Sequence, residues 1–174
     1  TFAYVSTERA PKPGTIAPAP NVNIWWCDLY SRSDHLRGLD TPDHFNANQL
    51  RTIREWLALT RNVTVWDYML YGGNQGSPDC PEWAPDAIAA DSRLFAELGV
   101  DRLFMETEIQ PFIQPFFGLN LYLMSLCYVD PSTDVTAAAR RYCRIYGEGA
   151  GKMFEALQLL RGAIAGSATK TEGE

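Results

Sequence analysis

Two short segments constrain the fold of this chain more than anything else in it: residues 62–68 (NVTVWDY) and residues 100–108 (VDRLFMETE). Each opens as a run of apolar, β-branched and aromatic residues and ends abruptly in carboxylates with a phenol or hydroxyl. Burial of a strand demands the first half and does nothing to explain the second. Each is also preceded by an amphipathic helical stretch and a turn. Parallel strands of an α/β protein have this form, and ligands of such proteins bind just beyond the strands' carboxyl ends. Asp67, Tyr68, Glu106 and Glu108 fall at that position.

The rest of the chain extends the pattern. Residues 2–7 (FAYVST) and 21–28 (NVNIWWCD) read as two further strands, separated by Pro11, Pro13, Gly14, Pro18 and Pro20, which exclude a helix. A polar loop over residues 29–42 carries Tyr30, Arg32, Asp34, His35 and Arg37. Phe45, Leu50, Ile53, Trp56 and Leu57 then recur at helical spacing over residues 44–60. Residues 71–83 form a Gly- and Pro-rich loop. Ile88, Leu94, Phe95 and Leu98 mark a helix over 85–98, closed by Gly99. After the fourth strand (102–106) and a loop over 109–117, a strongly apolar helix spans 118–128. Asp130-Pro131-Ser132-Thr133 breaks it, and two helices, 135–146 and 149–164, follow with a division near Gly147. The domain runs over residues 1–164, and the small, polar residues 165–174 read as a flexible tail.

Strand starts are about 20, 41 and 39 residues apart. The last two spacings match the β-loop-α-loop repeat of a (β/α)8 barrel, which takes about 250 residues for eight units. Four strands make half of one. The alternative is a small open parallel sheet with helices on both faces. The half barrel is favoured because the long polar loops all follow strand carboxyl ends while the other loops are short.

Composition excludes several functions. A net charge of −6 with no basic block argues against nucleic acid and against an anionic membrane surface. No apolar run reaches the roughly 18–20 residues that span a bilayer. Cys27, Cys80, Cys127 and Cys143 lack CxxC spacing, and His35 and His44 lack a metal-binding partner at helical spacing, so no metal site is expected. The two histidines read as caps or surface residues. GxGxxG, GxxxxGK[ST] and GxSxG are all missing, so no organic cofactor is expected. The chain opens at Thr1, inside a strand and without an initiator Met, which we read as a missing N-terminal part.

Strand alternation assigns the faces. Val22, Ile24, Val63, Val65, Leu103 and Met105 take the outward, helix-facing parity. Asn23, Trp25, Cys27, Thr64, Trp66, Tyr68, Phe104, Glu106 and Glu108 take the inward one. Asp28 and Asp67 sit at the rim, where alternation is expected to decay. The result is a mouth lined by aromatic rings and carboxylates. Rings stack on the C–H faces of sugars and carboxylates accept bonds from paired hydroxyls. The candidate substrate-binding residues are Trp25, Asp28, Trp66, Asp67, Tyr68, Glu106 and Glu108. Each has an ordinary structural reading as well: the aromatics as core plugs, Asp67 as a helix or loop cap.

An ordered set of motifs then suggests a family. Trp66-Asp67-Tyr68 ends one strand and Glu97-Leu98-Gly99-Val100 closes a helix. Glu106 ends the next strand, and residues 119–126 carry the spacing L-x-x-Y-L-x-x-L. Asp130-Pro131, Asp134 and Tyr146-Gly147 complete the order. The chain resembles the C-terminal part of the domain of unknown function DUF4838, from the Tyr4 strand to the Tyr146-Gly147 helix. One position departs: Tyr128-Val129 stands where the family often has Trp before Asp-Pro. Part of that family is classed as glycoside hydrolase family 163, similar to endo-β-N-acetylglucosaminidases. The resemblance implies the C-terminal half of a (β/α)8 glycosidase barrel with extra C-terminal helices. It also implies a glycan substrate, an extracellular or periplasmic location, and a missing N-terminal half that supplies the main acid residues. The competing expectation is a non-catalytic carbohydrate-binding or scaffold module built on the same half barrel.

Overall fold

The structure, a computed structural model, describes residues 1–29, 34–42, 44–70, 83–107 and 116–167. Four strands form one sheet in the order β1 (Phe2–Ala3), β2 (Ile24–Asp28), β3 (Val63–Leu70) and β4 (Leu103–Thr107). All three pairings are parallel and join neighbours in the chain, as the strand spacing predicts. Among the described residues five helices accompany the sheet: α1 (His44–Leu59), α2 (Pro85–Glu97), α3 (Phe117–Val129), α4 (Val135–Tyr142) and α5 (Ala150–Ala165). The protein is therefore a mixed α/β fold built on a parallel sheet.

β1 is shorter than the six residues its sequence suggests. Pairing stops at Ala3, and Val5–Thr7 form a 3-10 turn. The Thr7 hydroxyl accepts from the Tyr4 amide at 3.2 Å and lies 3.1 Å from the Phe2 carbonyl oxygen. A short polar side chain thus offers the backbone local partners in place of the ladder.

Helix ends follow sequence chemistry closely. Gly99, at φ +76°, lets α2 end in a Schellman motif: its amide bonds the Ala96 carbonyl and the Val100 amide bonds that of Phe95. Val100 then packs in the same apolar cluster as Phe95, so the cap also aims the chain into β4. Asp130 accepts from the Ser132 amide, and Asp134 caps α4 by accepting from the amides of Thr136 and Ala137 at 2.9 and 3.0 Å. The spacing of Asp130 and Asp134 is thus that of two successive backbone caps. Gly147, at φ +56°, kinks the chain within the 3-10 segment Cys143–Gly149 that leads into α5, near where the sequence places a division.

Two apolar clusters hold the layers together. In one, Ala3, Ile24, Trp26, Val63 and Val65 pack on Ile53 and Trp56 of α1 and on Leu94 and Phe95 of α2. Leu103 and Val22 join its edge, so the outward parity read from the sequence is the helix-facing one. In the other, Ala87 and Ile88 of α2 pack on Leu123 and Cys127 of α3, Ala138 of α4 and Phe154 of α5. α2 belongs to both clusters and ties the C-terminal helices to the sheet. Neither cluster contains Phe2, Trp25, Trp66 or Phe104, which lie on the opposite face. Residues 168–174 lie outside the described part. Ser167 is held by Arg37, whose Nη2 donates to its carbonyl oxygen at 2.7 Å.

Candidate functional site

The two faces of the sheet diverge at the carboxyl ends of β2, β3 and β4. On the helix-free face the register sets Cys27 beside Trp66 and Trp66 beside Phe104. The rings pack edge to face: Trp66 and Phe104 at 4.5 Å between centroids, Trp25 and Trp66 at 5.6 Å, Phe2 and Trp66 at 5.5 Å. Tyr68 stacks on Trp66 at 6.1 Å. Phe2 and Phe104 remain 53% and 41% exposed, which is unusual for large aromatics on a sheet. Glu106 lies among them, and Trp66 Nε1 donates to its Oε2 at 2.7 Å. Other tryptophans of the chain bond uncharged groups in the core: Trp26 to Thr52 Oγ1, Trp56 to the Glu8 carbonyl, Trp83 to the Leu157 carbonyl.

Two other titratable groups share this face. Burial pushes the Cys27 thiol up to about 12, with the charges of Asp28 and Glu106 adding to it. At neutral pH it is a thiol and no nucleophile. Burial, then the neighbouring Cys27, Tyr4 and Glu106, raise Tyr68, which stays a neutral phenol able to donate a hydrogen bond.

The helix-facing side carries a different group. Asp28 and Asp67 are partners across the β2–β3 ladder and only 3% and 2% exposed. Tyr128 of α3 donates its hydroxyl to Asp67 Oδ2. His35, from the segment after β2, sets Nε2 3.6 Å from Asp28 Oδ2. Asp91 of α2, 5% exposed, accepts from the Leu39 amide at 2.5 Å. Burial raises the Asp91 carboxyl well above its ordinary value, and the Leu39 amide only partly opposes that. Burial likewise raises the Tyr128 phenol, reinforced by the charge of Asp67.

Residues 1–157 match the model of a family described as a domain of unknown function, DUF4838. The chain belongs to the DUF4838 family. No curated protein and no solved structure matches it.

In this DUF4838 chain the sequence-derived candidates thus fall into two sets. Trp25, Trp66, Tyr68 and Glu106 come together on the helix-free face. Asp28 and Asp67 do not join them. Alternation persists to the last rung of the β2–β3 ladder, where Asp28 pairs with Asp67, and turns both carboxylates toward the helices instead of letting parity decay at a rim. One shared cleft for Asp67, Tyr68 and Glu106, as their common position after apolar runs suggests, is not what the backbone builds. Glu108 lies outside the described residues. Among the described residues no group of three or more His, Cys, Asp or Glu side chains is placed to hold a metal ion. Nor is any described helix long and apolar enough to cross a membrane.

Sequence reasoning missed His35, Asp91 and Tyr128. The parity of Asp28 with Ile24 and Trp26, and of Asp67 with Val63 and Val65, was the available signal. A carboxylate at core parity requires a donor or a cation beside it. Asp91 lies three residues after Ile88 and four before Phe95, on the buried stripe of α2.

Proposed function

We propose that this DUF4838 chain is the C-terminal half of a (β/α)8 glycoside-hydrolase barrel, acting outside the cytoplasm on glycans that contain N-acetylhexosamine. The observation that carries the reading is the Trp66–Glu106 bond of 2.7 Å, set among half-exposed rings at the strands' carboxyl ends. In that frame the helix-free face is the barrel interior and the missing N-terminal half supplies four more strands. The parallel order β1-β2-β3-β4 with the helix-packed clusters on one face supports it, because a doubly wound sheet packs helices on both.

The chemistry follows from the groups on that face. Trp25, Trp66 and Phe104 offer apolar surface to the C–H side of a sugar ring. Glu106, oriented by the indole N–H, accepts bonds from sugar hydroxyls or from the N-acetyl N–H. Glycoside hydrolysis with an N-acetyl sugar can proceed by attack of the substrate's own carbonyl oxygen, so the enzyme then needs a carboxylate to orient that group and an acid for the leaving oxygen. The acid belongs to the missing half. Tyr68, a neutral phenol, suits a donor to the acetamido oxygen. Asp28 and Asp67 hold the structure behind the face and do not touch the sugar.

The test is steady-state hydrolysis of an N-glycan or an aryl N-acetylglucosaminide by the full-length protein, with glycan binding measured alongside. Turnover that falls about thirty- to a thousand-fold in Glu106→Gln, a loss of about 2–4 kcal/mol of transition-state stabilisation, supports the reading. Glycan binding without turnover in the full-length protein selects the carbohydrate-binding module instead. Neither binding nor turnover overturns both.

A further inference from the structure

The buried charge on the helix-facing side is not used by the proposed chemistry, and its balance is unusual. Three carboxylates from three elements, Asp28 of β2, Asp67 of β3 and Asp91 of α2, are each at most 5% exposed. Among the described residues His35 approaches them from the segment between β2 and α1, its Nε2 3.6 Å from Asp28 Oδ2 and its side chain 15% exposed. Residues 34–38 of that segment are held by several elements. Asn46 of α1 accepts from the Asp34 amide at 2.7 Å and donates to the carbonyls of Asp34 and Gly38 at 3.2 and 3.0 Å. Arg37 pairs with Asp34 at 2.6 Å and reaches the end of α5 through Ser167. Gly38 lies so close to α2 that a Cβ there would stand 2.7 Å from the Ala90 Cβ. The chain's path therefore leaves His35 little choice of position, and the place it is given faces the carboxylates.

We propose that His35 is a charged latch: as an imidazolium it pairs with the carboxylates buried behind the ends of β2 and β3, and loss of its proton loosens residues 34–42 from the sheet. Burial alone pulls the imidazole pKa down. The charge of Asp28, whose Oδ2 stands 3.6 Å from Nε2, and the charges of Asp67 and Asp91 push it up and prevail, to about 9. Tyr128 bonds Asp67 from α3 and contributes no cation. Asp34 on the latch's own segment is already paired with Arg37. His35 thus binds its proton more tightly in the folded chain than in the unfolded one. Its contribution to stability is complete below about pH 6.5 and is lost as pH rises through about 9. The protein would tolerate neutral and mildly acidic surroundings and open at its strand ends in alkaline ones.

The experiment is a histidine-selective NMR titration of the protein, joined to urea unfolding from pH 6 to 9.5. The His35 resonance is assigned by its loss in His35→Gln, or by elimination with His44→Gln if the first variant does not fold. A midpoint more than one unit above the ordinary value of about 6.5 is expected, and any midpoint closer to it overturns the proposal. Between pH 6.5 and about 9 the wild-type unfolding constant should rise by up to about tenfold per pH unit more than that of His35→Gln. Equal slopes in the two proteins overturn it as well. Both readouts are independent of any glycan, so failure here leaves the proposed activity standing, and failure of that activity leaves the latch standing.

Discussion

The two faces of this one sheet carry the same kinds of side chain and treat them in opposite ways. On the helix side Trp26 is fully buried with its indole N–H on Thr52, and Asp28 and Asp67 are buried with His35 and Tyr128 beside them. One residue along each strand, Trp25 and Trp66 remain half-buried and Glu106 sits among rings with no cation described beside it. Where a carboxylate is enclosed, the fold supplies a counter-charge or donor from a separate element. Where it is left at an open aromatic surface, the described residues supply an orienting N–H. The difference separates groups that hold the sheet to its helices from groups held ready for something outside the sheet.

That contrast can be broken most sharply with a pair of adjacent tryptophans. Trp26→Ala should cost about 3–5 kcal/mol in urea unfolding, from lost burial and the cavity left behind. Trp25→Ala, whose ring meets the rings of Phe2, Trp66 and Phe104 among the described residues, should cost about 1–2 kcal/mol. Equal costs would mean that the open face is as structural as the other.

The carboxylates give the next largest difference. Asp67→Ala leaves the Tyr128 hydroxyl buried without its acceptor and should destabilise by about 2–3 kcal/mol in the same assay. Glu106→Gln keeps an oxygen for the Trp66 N–H and should change stability by less than about 0.5 kcal/mol. A large loss of stability in Glu106→Gln would make that residue a structural carboxylate.

The smallest effect sharpens the open face itself. Cys27, pushed up to about 12, should react with iodoacetamide at pH 8 far more slowly than a free thiol, since only roughly one molecule in ten thousand carries the thiolate. Modification at the rate of an exposed cysteine, followed by mass spectrometry, would show that the surroundings of Cys27 are wetter and less acidic than described.

Much of this was legible in the sequence, for a physical reason in each case. The outward positions of β2, β3 and β4 are aliphatic because they meet helices, so the alternation at Ile24, Val63, Val65 and Leu103 could be read directly. Gly99 announces a helix end because only glycine is at ease in that conformation. The inward set of Trp25, Trp66, Phe104 and Glu106 followed from the same alternation. What failed was the treatment of strand ends. β3 stays in register with β2 through the Asp28–Asp67 rung, and the irregularity in its pairing with β4 comes only after Asp67, so alternation still holds at that carboxylate. The β1 segment looked like a strand because Tyr4 and Val5 favour one, but the Thr7 hydroxyl provides competing local bonds. His35 could not be found from sequence: Asp28, Asp67 and Asp91 are spread over three elements, and nothing local marks a lone histidine in a polar loop as partly buried beside them.

The central claim is that function belongs to the open face and structural charge to the covered one. It is tested most directly by measuring kcat/KM on an aryl N-acetylglucosaminide, together with unfolding free energy, for Glu106→Gln and Asp67→Asn in the full-length protein. The account predicts a loss of about thirty- to a thousand-fold in kcat/KM for Glu106→Gln with stability unchanged. For Asp67→Asn it predicts a loss of stability of about 1–2 kcal/mol, with kcat/KM of the folded enzyme within about threefold of wild type. Unchanged kinetics in Glu106→Gln, or abolished turnover in a stably folded Asp67→Asn, would contradict it.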